Sequence, residues 1–256
     1  MKEKDRPISS EAVINPECPW RLPRLRFEFE KYRYKKSVAE WKALLAKATQ
    51  GDAESEYLVA IFYDYGCKDR RGRILVRCSA AKALAWNRRS AEHGFAWAQG
   101  HLGVLFSNGT GVKKDPRQAL VWMKRAFRGG HTSGTPVNIA ITYRETGKLH
   151  QAAHWFKKAT ALGDDGAFVQ LGVHYYWGKG VSADHAAAVH CFRRAARGSN
   201  MAECERDDAF FYLGIAYLEG KGVRKSLQKA RKHLERANKN NDHPAARRML
   251  KELARA

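Results

Sequence analysis

No stretch of this sequence approaches the roughly 18 consecutive apolar residues that a membrane-spanning helix needs. Nor does an apolar core follow the charged opening Met1 to Arg6, as a secretory leader would require. A cytoplasmic chain is expected. Acidic residues are scarce: 26 Asp and Glu stand against 47 Lys and Arg, a formal net charge of +21. Such a field attracts acidic protein, nucleic acid or anionic lipid, and charge alone does not choose among them. The five cysteines include no Cys-x-x-Cys pair; the odd count and missing leader favour reduced thiols. Signatures of catalysis are also missing. There is no phosphate-binding Walker loop, no Gly-x-Ser-x-Gly elbow and no His-Glu-x-x-His. His185, His190, Cys191 and Cys204 lie near one another in sequence. A step of five does not put the two histidines on one helical face, however, and no spacing typical of structural zinc occurs. No catalytic residue, metal or cofactor is expected.

What is present is a repeat. Ala83, Ala119, Ala152, Ala188 and Ala230 mark equivalent points 33 to 42 residues apart, a period that means stacked helix pairs. The clearest unit runs from Ala98 through Leu102, Gly103, Phe106, Gly109, Gly111, Val112 and Asp115 to Ala119 and Trp122. A later unit repeats it as Ala167, Leu171, Gly172, Tyr175, Gly178, Gly180, Val181, Asp184 and Ala188. Another repeats it as Ala209, Leu213, Gly214, Tyr217, Gly220, Gly222, Val223, Ser226 and Ala230. Spacing of four puts Ala98, Leu102 and Phe106 on one helical face. Gly103, Gly172 and Gly214 leave room for a neighbouring helix, and Asp115 before Pro116 is a helix start. Trp86, Trp122 and Trp155, three residues after their alanines, are expected to pack between repeats.

These motifs resemble the Sel-1-like repeat family, a relative of the tetratricopeptide repeat, over roughly residues 52 to 240. The resemblance implies an all-α fold, a right-handed α-solenoid of stacked antiparallel helix pairs. Two units depart from the pattern. The first replaces Gly-x-Gly-Val with a longer loop from Cys67 to Cys78; the third has Gly147-Lys-Leu-His there. Exported members of the family carry disulfides within repeats, so the resemblance also leaves the pairings Cys67 with Cys78 and Cys191 with Cys204 open.

Three segments are expected. Residues 1–36 read as a basic and aromatic arm, with strand-like alternation of Leu25, Phe27 and Phe29. It would either clamp a polyanion or pack its aromatics on the first helix pair. Residues 37–240 form the solenoid, about five units behind a degenerate helix opened by the capping box Ser37 to Glu40. Residues 241–256 supply the terminal capping helix that a solenoid needs.

First helices line the inner curve of related solenoids, so the resemblance places a ligand in a concave groove there. The polar and aromatic flank that repeat alignment selects is His101, Asn108, Asn138, Thr142, Glu145, Gln170, His174, Trp177, Tyr212 and Glu219. Trp177, Tyr212 and His174 lead it, in a mixture that suits protein recognition. A second candidate is the basic loop carrying Lys68, Arg70, Arg71, Arg73 and Arg77, an insertion where the family has a tight turn. Glu203 to Asp208 read as a solvated acidic loop. The expected function is a non-enzymatic scaffold binding a partner protein with an acidic surface. Family resemblance extends this to a bacterial adaptor or an immunity protein neutralising a secreted toxin. The alternative is a nucleic-acid-binding repeat protein that uses its basic surface.

Overall fold

The structure, a computed structural model, describes residues 37–69, 71–199, 201–239 and 243–254. The arm expected over residues 1–36 lies outside them. The rest is helical: α1 (Val38–Thr49), α2 (Ala53–Tyr65), α3 (Ala80–Glu92), α4 (Ala96–Asn108), α5 (Pro116–Arg128) and α6 (Thr135–Glu145), then α7 (Leu149–Ala161), α8 (Asp165–Trp177), α9 (His185–Arg197), α10 (Glu203–Glu219), α11 (Leu227–Ala237) and α12 (Pro244–Leu253). Helices α4/α5, α6/α7, α8/α9 and α10/α11 are successive pairs of an α-solenoid. The chain divides into two compact units, Met1–Trp86 and Asn87–Ala256.

In the first unit, Ser37 and Glu40 form the expected reciprocal cap of α1, satisfying two backbone N–H groups that the helix itself cannot. Trp41 then meets Phe62 and Tyr63 edge-on, with ring centroids 5.8 and 6.0 Å away. The insertion after α2 is more ordered than a loop. Strands β1 (Cys67–Lys68) and β2 (Ile74–Val76) pair antiparallel. The Asp69 carboxylate holds the bend by accepting from Arg71 N, Arg73 N and Arg73 Nε at 2.8–2.9 Å. These donors hold the Asp69 carboxyl below its ordinary range, the Arg73 backbone bond first. Cys67 is buried, Cys78 is exposed, and the two are not bonded to each other.

In the second unit three of the four pairs, α4/α5, α8/α9 and α10/α11, close where a first-helix glycine faces a large side chain of its partner. A Cβ at Gly103 would lie 2.6 Å from Met123 Cγ, one at Gly172 2.5 Å from Phe192, and one at Gly214 2.8 Å from Leu234. The marker alanines Ala119, Ala152, Ala188 and Ala230 are fully buried, as are Phe156, Phe192 and Leu234. Removing a side chain of that size from water contributes about 1.5–3 kcal/mol. Second helices start on side-chain caps: Asp115, Asp184 and Ser226 accept from backbone N–H groups two or three residues on. Trp155 packs edge-on against Phe127 of the preceding pair, 5.2 Å away, while both it and Trp122 stay half-exposed.

In two of the three Gly-x-Gly turns the second glycine links pairs rather than closing one, while Gly111 of the α4/α5 turn meets nothing within 4 Å. Gly180 and Gly222 have φ of +72° and +71°, and a Cβ on either would collide with backbone. For Gly180 the obstacle is Leu149 at the start of α7; for Gly222 it is His185 at the start of α9. Each of these two turns thus seats on the N-terminus of the previous pair's second helix, and His150 Nδ1 bonds Gly180 O at 3.2 Å across one such seat. At the far end, α12 covers α11 with Ala246 buried and Met249, Leu250 and Leu253 packed alongside.

One expected loop is helix. Glu203 to Asp208 form the first turns of α10, making it 17 residues long. Carboxylates favour that position because they face the positive end of the helix dipole, and Glu205 also accepts from Ala202 N at 2.9 Å.

His131 is buried at 2 % exposure, its Nδ1 2.7 Å from Thr135 Oγ1 and its ring 4.1 Å from that of Trp97. Burial pushes its pKa down to about 4. The unfolded chain therefore binds the proton first, and the contribution is full above pH 6.5 and lost as pH falls towards 4. Within that window stability should fall by about 1.4 kcal/mol per pH unit for this group alone. Urea midpoints at pH 7 and pH 4.5 should show a smaller drop in His131→Asn than in the parent; equal drops would remove His131 as a source. Gly222→Ala should lose about 3 kcal/mol, from left-handed strain plus the collision with His185. Gly163→Ala, with φ +85° but nothing within 4 Å, should lose only about 1–2 kcal/mol. Equal losses in urea denaturation would rule out the seat as the cause.

Candidate functional site

The pairing of helices sorts the second unit into two layers of opposite charge. First helices α4, α6, α8 and α10 hold seven carboxylates and two arginines, Arg144 and Arg206. Second helices α5, α7, α9 and α11 hold thirteen Lys and Arg and a single carboxylate, Glu235. Within these helices the positive charge is therefore concentrated away from the flank that repeat alignment selects.

That flank contains one coherent cluster. Trp177 at the end of α8 is 45 % exposed, an unusual state for so large an apolar ring. Tyr212 of α10 meets it edge-on at 6.4 Å and stacks on Phe192 at 5.1 Å with 15° between the planes. Tyr212 is held from behind and half-open in front. Burial raises its hydroxyl pKa, with the Asp208 carboxylate adding to the effect. Beside it, Arg144 Nη1 donates to Gln170 Oε1 at 2.6 Å, so a cation and an amide stand next to the aromatic pair. His243 closes the other side. Its Nδ1 accepts from Ala246 N at 3.1 Å, which leaves the proton on Nε2, 3.3 Å from Asp208 Oδ1. Burial raises the Asp208 pKa against the opposing pull of His243. Phe211 fills the space under the imidazole, 4.7 Å away.

The other flank residues divide by exposure. Glu219 accepts from Tyr176 Oη at 2.8 Å and pairs with Lys221 at 2.9 Å. These contacts, Lys221 first, hold its carboxyl below the usual range. Glu145 pairs with Lys114 at 3.4 Å on the surface, and Asn108 is exposed nearby in sequence order at the end of α4. Asn138 is half-buried, and its carbonyl accepts from Thr142 Oγ1. His101 is half-buried, with burial holding its imidazole at about 4, so it is neutral at pH 7. Two flank residues face inward. Thr142 is 1 % exposed and joins α6 to α4 through Ser107 Oγ at 3.2 Å. His174 is 1 % exposed, and its Nδ1–H donates to Lys179 O, bracing the turn after α8. Neither presents a side chain to a ligand.

In the first unit, Lys68, Arg71, Arg73 and Arg77 are exposed around the β-hairpin. Arg70 lies outside the described residues. Of the four, Arg73 is engaged by Asp69 at 2.8 Å.

Sequence reasoning missed Arg144, Asp208 and His243. Asp208 was legible as the residue one helical turn before Tyr212, provided α10 began early enough. Arg144 and His243 act across helices, which spacing does not reveal.

The repeats match known proteins. The family model of the Sel1 repeat matches residues 98–131, 148–164, 169–200 and 208–242. A Neisseria meningitidis serogroup B protein of uncharacterised role, NMB1327, is 28% identical over 192 residues, covering 75% of this chain and 37% of that protein. The chain thus spans little more than a third of that relative's length. Among solved structures, c5321, a protective antigen present in uropathogenic Escherichia coli strains and displaying an SLR fold, superposes with a TM-score of 0.67 and 27% identity. That likeness covers 83% of this chain and 43% of the other. A Sel1 repeat protein from Oxalobacter formigenes gives the same TM-score at 24% identity, over 86% of this chain and 85% of that one. With the Leu-Gly, Gly-x-Gly-Val and alanine positions seated as helix pairs in register, the chain belongs to the Sel1 repeat family.

Proposed function

We propose that this chain is a non-enzymatic scaffold that holds a partner protein against its first-helix layer, with Trp177 and Tyr212 as the anchor. Sel1 repeats generally serve as protein-interaction scaffolds, and this chain is read as one that works in the cytoplasm. The supporting observation is the half-open Trp177–Tyr212 pair, backed by Phe192 and rimmed by Arg144–Gln170 and Asp208–His243. Large aromatic rings next to arginine, surrounded by polar groups that are already paired, are the composition of interface hot spots. The half-buried Asn138 and His101 and the exposed Asn108, Glu145 and Glu219 extend the same face.

The charge of this layer refines the partner. Its carboxylates outnumber its arginines, so the segment that enters it is apolar with basic or hydrogen-bond-donating neighbours. An acidic partner surface matches the second-helix layer instead. A bacterial adaptor, or an immunity protein that covers a secreted toxin, fits such a rigid single-array binder. Here the reading rests on family analogy.

The test is affinity capture from nuclease-treated lysate of the source cell, comparing the parent with Trp177→Ala/Tyr212→Ala. One stoichiometric protein should bind the parent, and the double variant should hold it at least tenfold more weakly with an unchanged helical circular dichroism signal. Undiminished capture by the double variant would remove this face as the docking surface.

A further inference from the structure

The second-helix layer carries a feature that the scaffold reading leaves unused. Counting from the marker alanines, the fifth and sixth residues are Lys124 and Arg125 in α5, Lys157 and Lys158 in α7, and Arg193 and Arg194 in α9. In α11 the sixth is Arg236. Both positions are thus cationic in three successive pairs, and in α11 the fifth is Glu235 and the sixth alone is cationic. They are also held in place. Lys124 lies over the Tyr143 ring at 5.2 Å and Lys157 over Tyr175 at 5.3 Å. Arg125 lies over Trp122 at 4.8 Å, Lys158 over Trp155 at 4.5 Å, Arg194 over Phe168 at 5.6 Å and Arg236 over Phe210 at 4.0 Å. Ring faces attract cations, so each repeat supplies a seat that fixes the charge before any ligand arrives.

The cations of neighbouring pairs share partners. Lys158 also reaches Phe127 of α5, at 5.8 Å. Arg193 of α9 donates to Tyr217 Oη at 3.1 Å while Lys229 of α11 lies over the same ring at 5.5 Å. His233 in α11 records the resulting field: burial lowers its pKa, and Arg236, Arg193, Lys232 and Lys229 lower it further. Counter-charge is scarce. Among the described residues, Arg194 faces a carboxylate, Asp165 at 3.7 Å.

We propose that this cationic ladder binds the phosphate backbone of a nucleic acid, running across successive second helices from α5 to α11. Three observations favour nucleic acid over an acidic protein. The array is one-dimensional and regular, as the charges of a phosphodiester chain are. The layer sets a single carboxylate, Glu235, against thirteen cations, whereas a protein–protein interface sets register with interspersed charges of both signs. The half-exposed indoles of Trp122 and Trp155 stand beside Arg125 and Lys158, offering π-faces next to cations, the combination that single strands use. The site is separate from the Trp177–Tyr212 cluster and does not depend on it.

The test is fluorescence anisotropy of the full chain with a labelled oligo-dT and with a duplex of equal length, titrated from 50 to 200 mM salt, with polyglutamate as competitor. Affinity should fall steeply with salt, by a slope of about −0.9 in log K against log salt per phosphate contacted on a duplex and about −0.7 on a single strand. Arg125→Glu/Lys158→Glu/Arg236→Glu should weaken binding at least tenfold and reduce that slope by about three. Arg125→Lys/Arg236→Lys should retain binding, which separates lost charge from lost folding. Trp177→Ala/Tyr212→Ala should bind as the parent does, so failure of the protein groove and failure of the ladder are read independently. Tighter binding of oligo-dT than duplex assigns a single strand; the reverse assigns a duplex. The ladder is overturned by no binding at 50 mM salt, by undiminished binding in the triple-Glu variant, or by polyglutamate displacing the oligonucleotide at equal charge concentration.

Discussion

Everything in this array depends on how closely two helices of a pair can approach. At Gly103, Gly172 and Gly214 the first helix has no side chain, and Met123, Phe192 and Leu234 fill the space. The marker alanines complete the contact from the other helix, each fully buried. A close crossing fixes which residues of each helix point away from the pair. It thereby determines which side chains reach the next pair and which reach water. In α5, α7 and α9 the fifth and sixth positions after the alanine carry cations, most of which lie over aromatic rings.

The two layers divide physical labour. In the second unit the first helices carry no Asp, Glu, Lys or Arg along α4 and are acidic along α10, and α8 presents a large exposed ring at Trp177. Second helices keep an apolar face inward and hold their cations over aromatic faces. The long aliphatic stems cover apolar surface while the charged ends stay in water. The thirteen cations and one carboxylate of the second helices are spread over four helices rather than piled on one loop.

Sequence legibility followed the range of the interaction. The capping box at Ser37, the caps at Asp115 and Asp184, the pairing glycines and the terminal helix were all local, and all were readable. The Gly-x-Gly turn was legible as a place for positive φ. Its second role, seating against Leu149 or His185 one pair earlier, was not, because a repeat alignment contains no distances. The flank suffered from the same limit. Spacing correctly put Thr142 and His174 in line with Trp177, but spacing gives direction and not cover. Ser107 closes over Thr142, and the carbonyl of Lys179 folds back onto His174. The acidic stretch before Ala209 misled for another reason. Carboxylates suggest solvent, yet at the start of a helix they are also favoured by its dipole.

The seating of the two later turns gives the array a direction. Gly180 sits on the start of α7 and Gly222 on the start of α9, so the α8/α9 and α10/α11 pairs each close a helix end in the pair before. Removing α10 and α11 would bare the beginning of α9, whereas removing α4 and α5 would leave both seats untouched. The two ends of the array are therefore not equivalent. Fraying that begins at the α11 end propagates by unlocking its neighbour, and α12, packed on α11, stands at the point where that propagation would start.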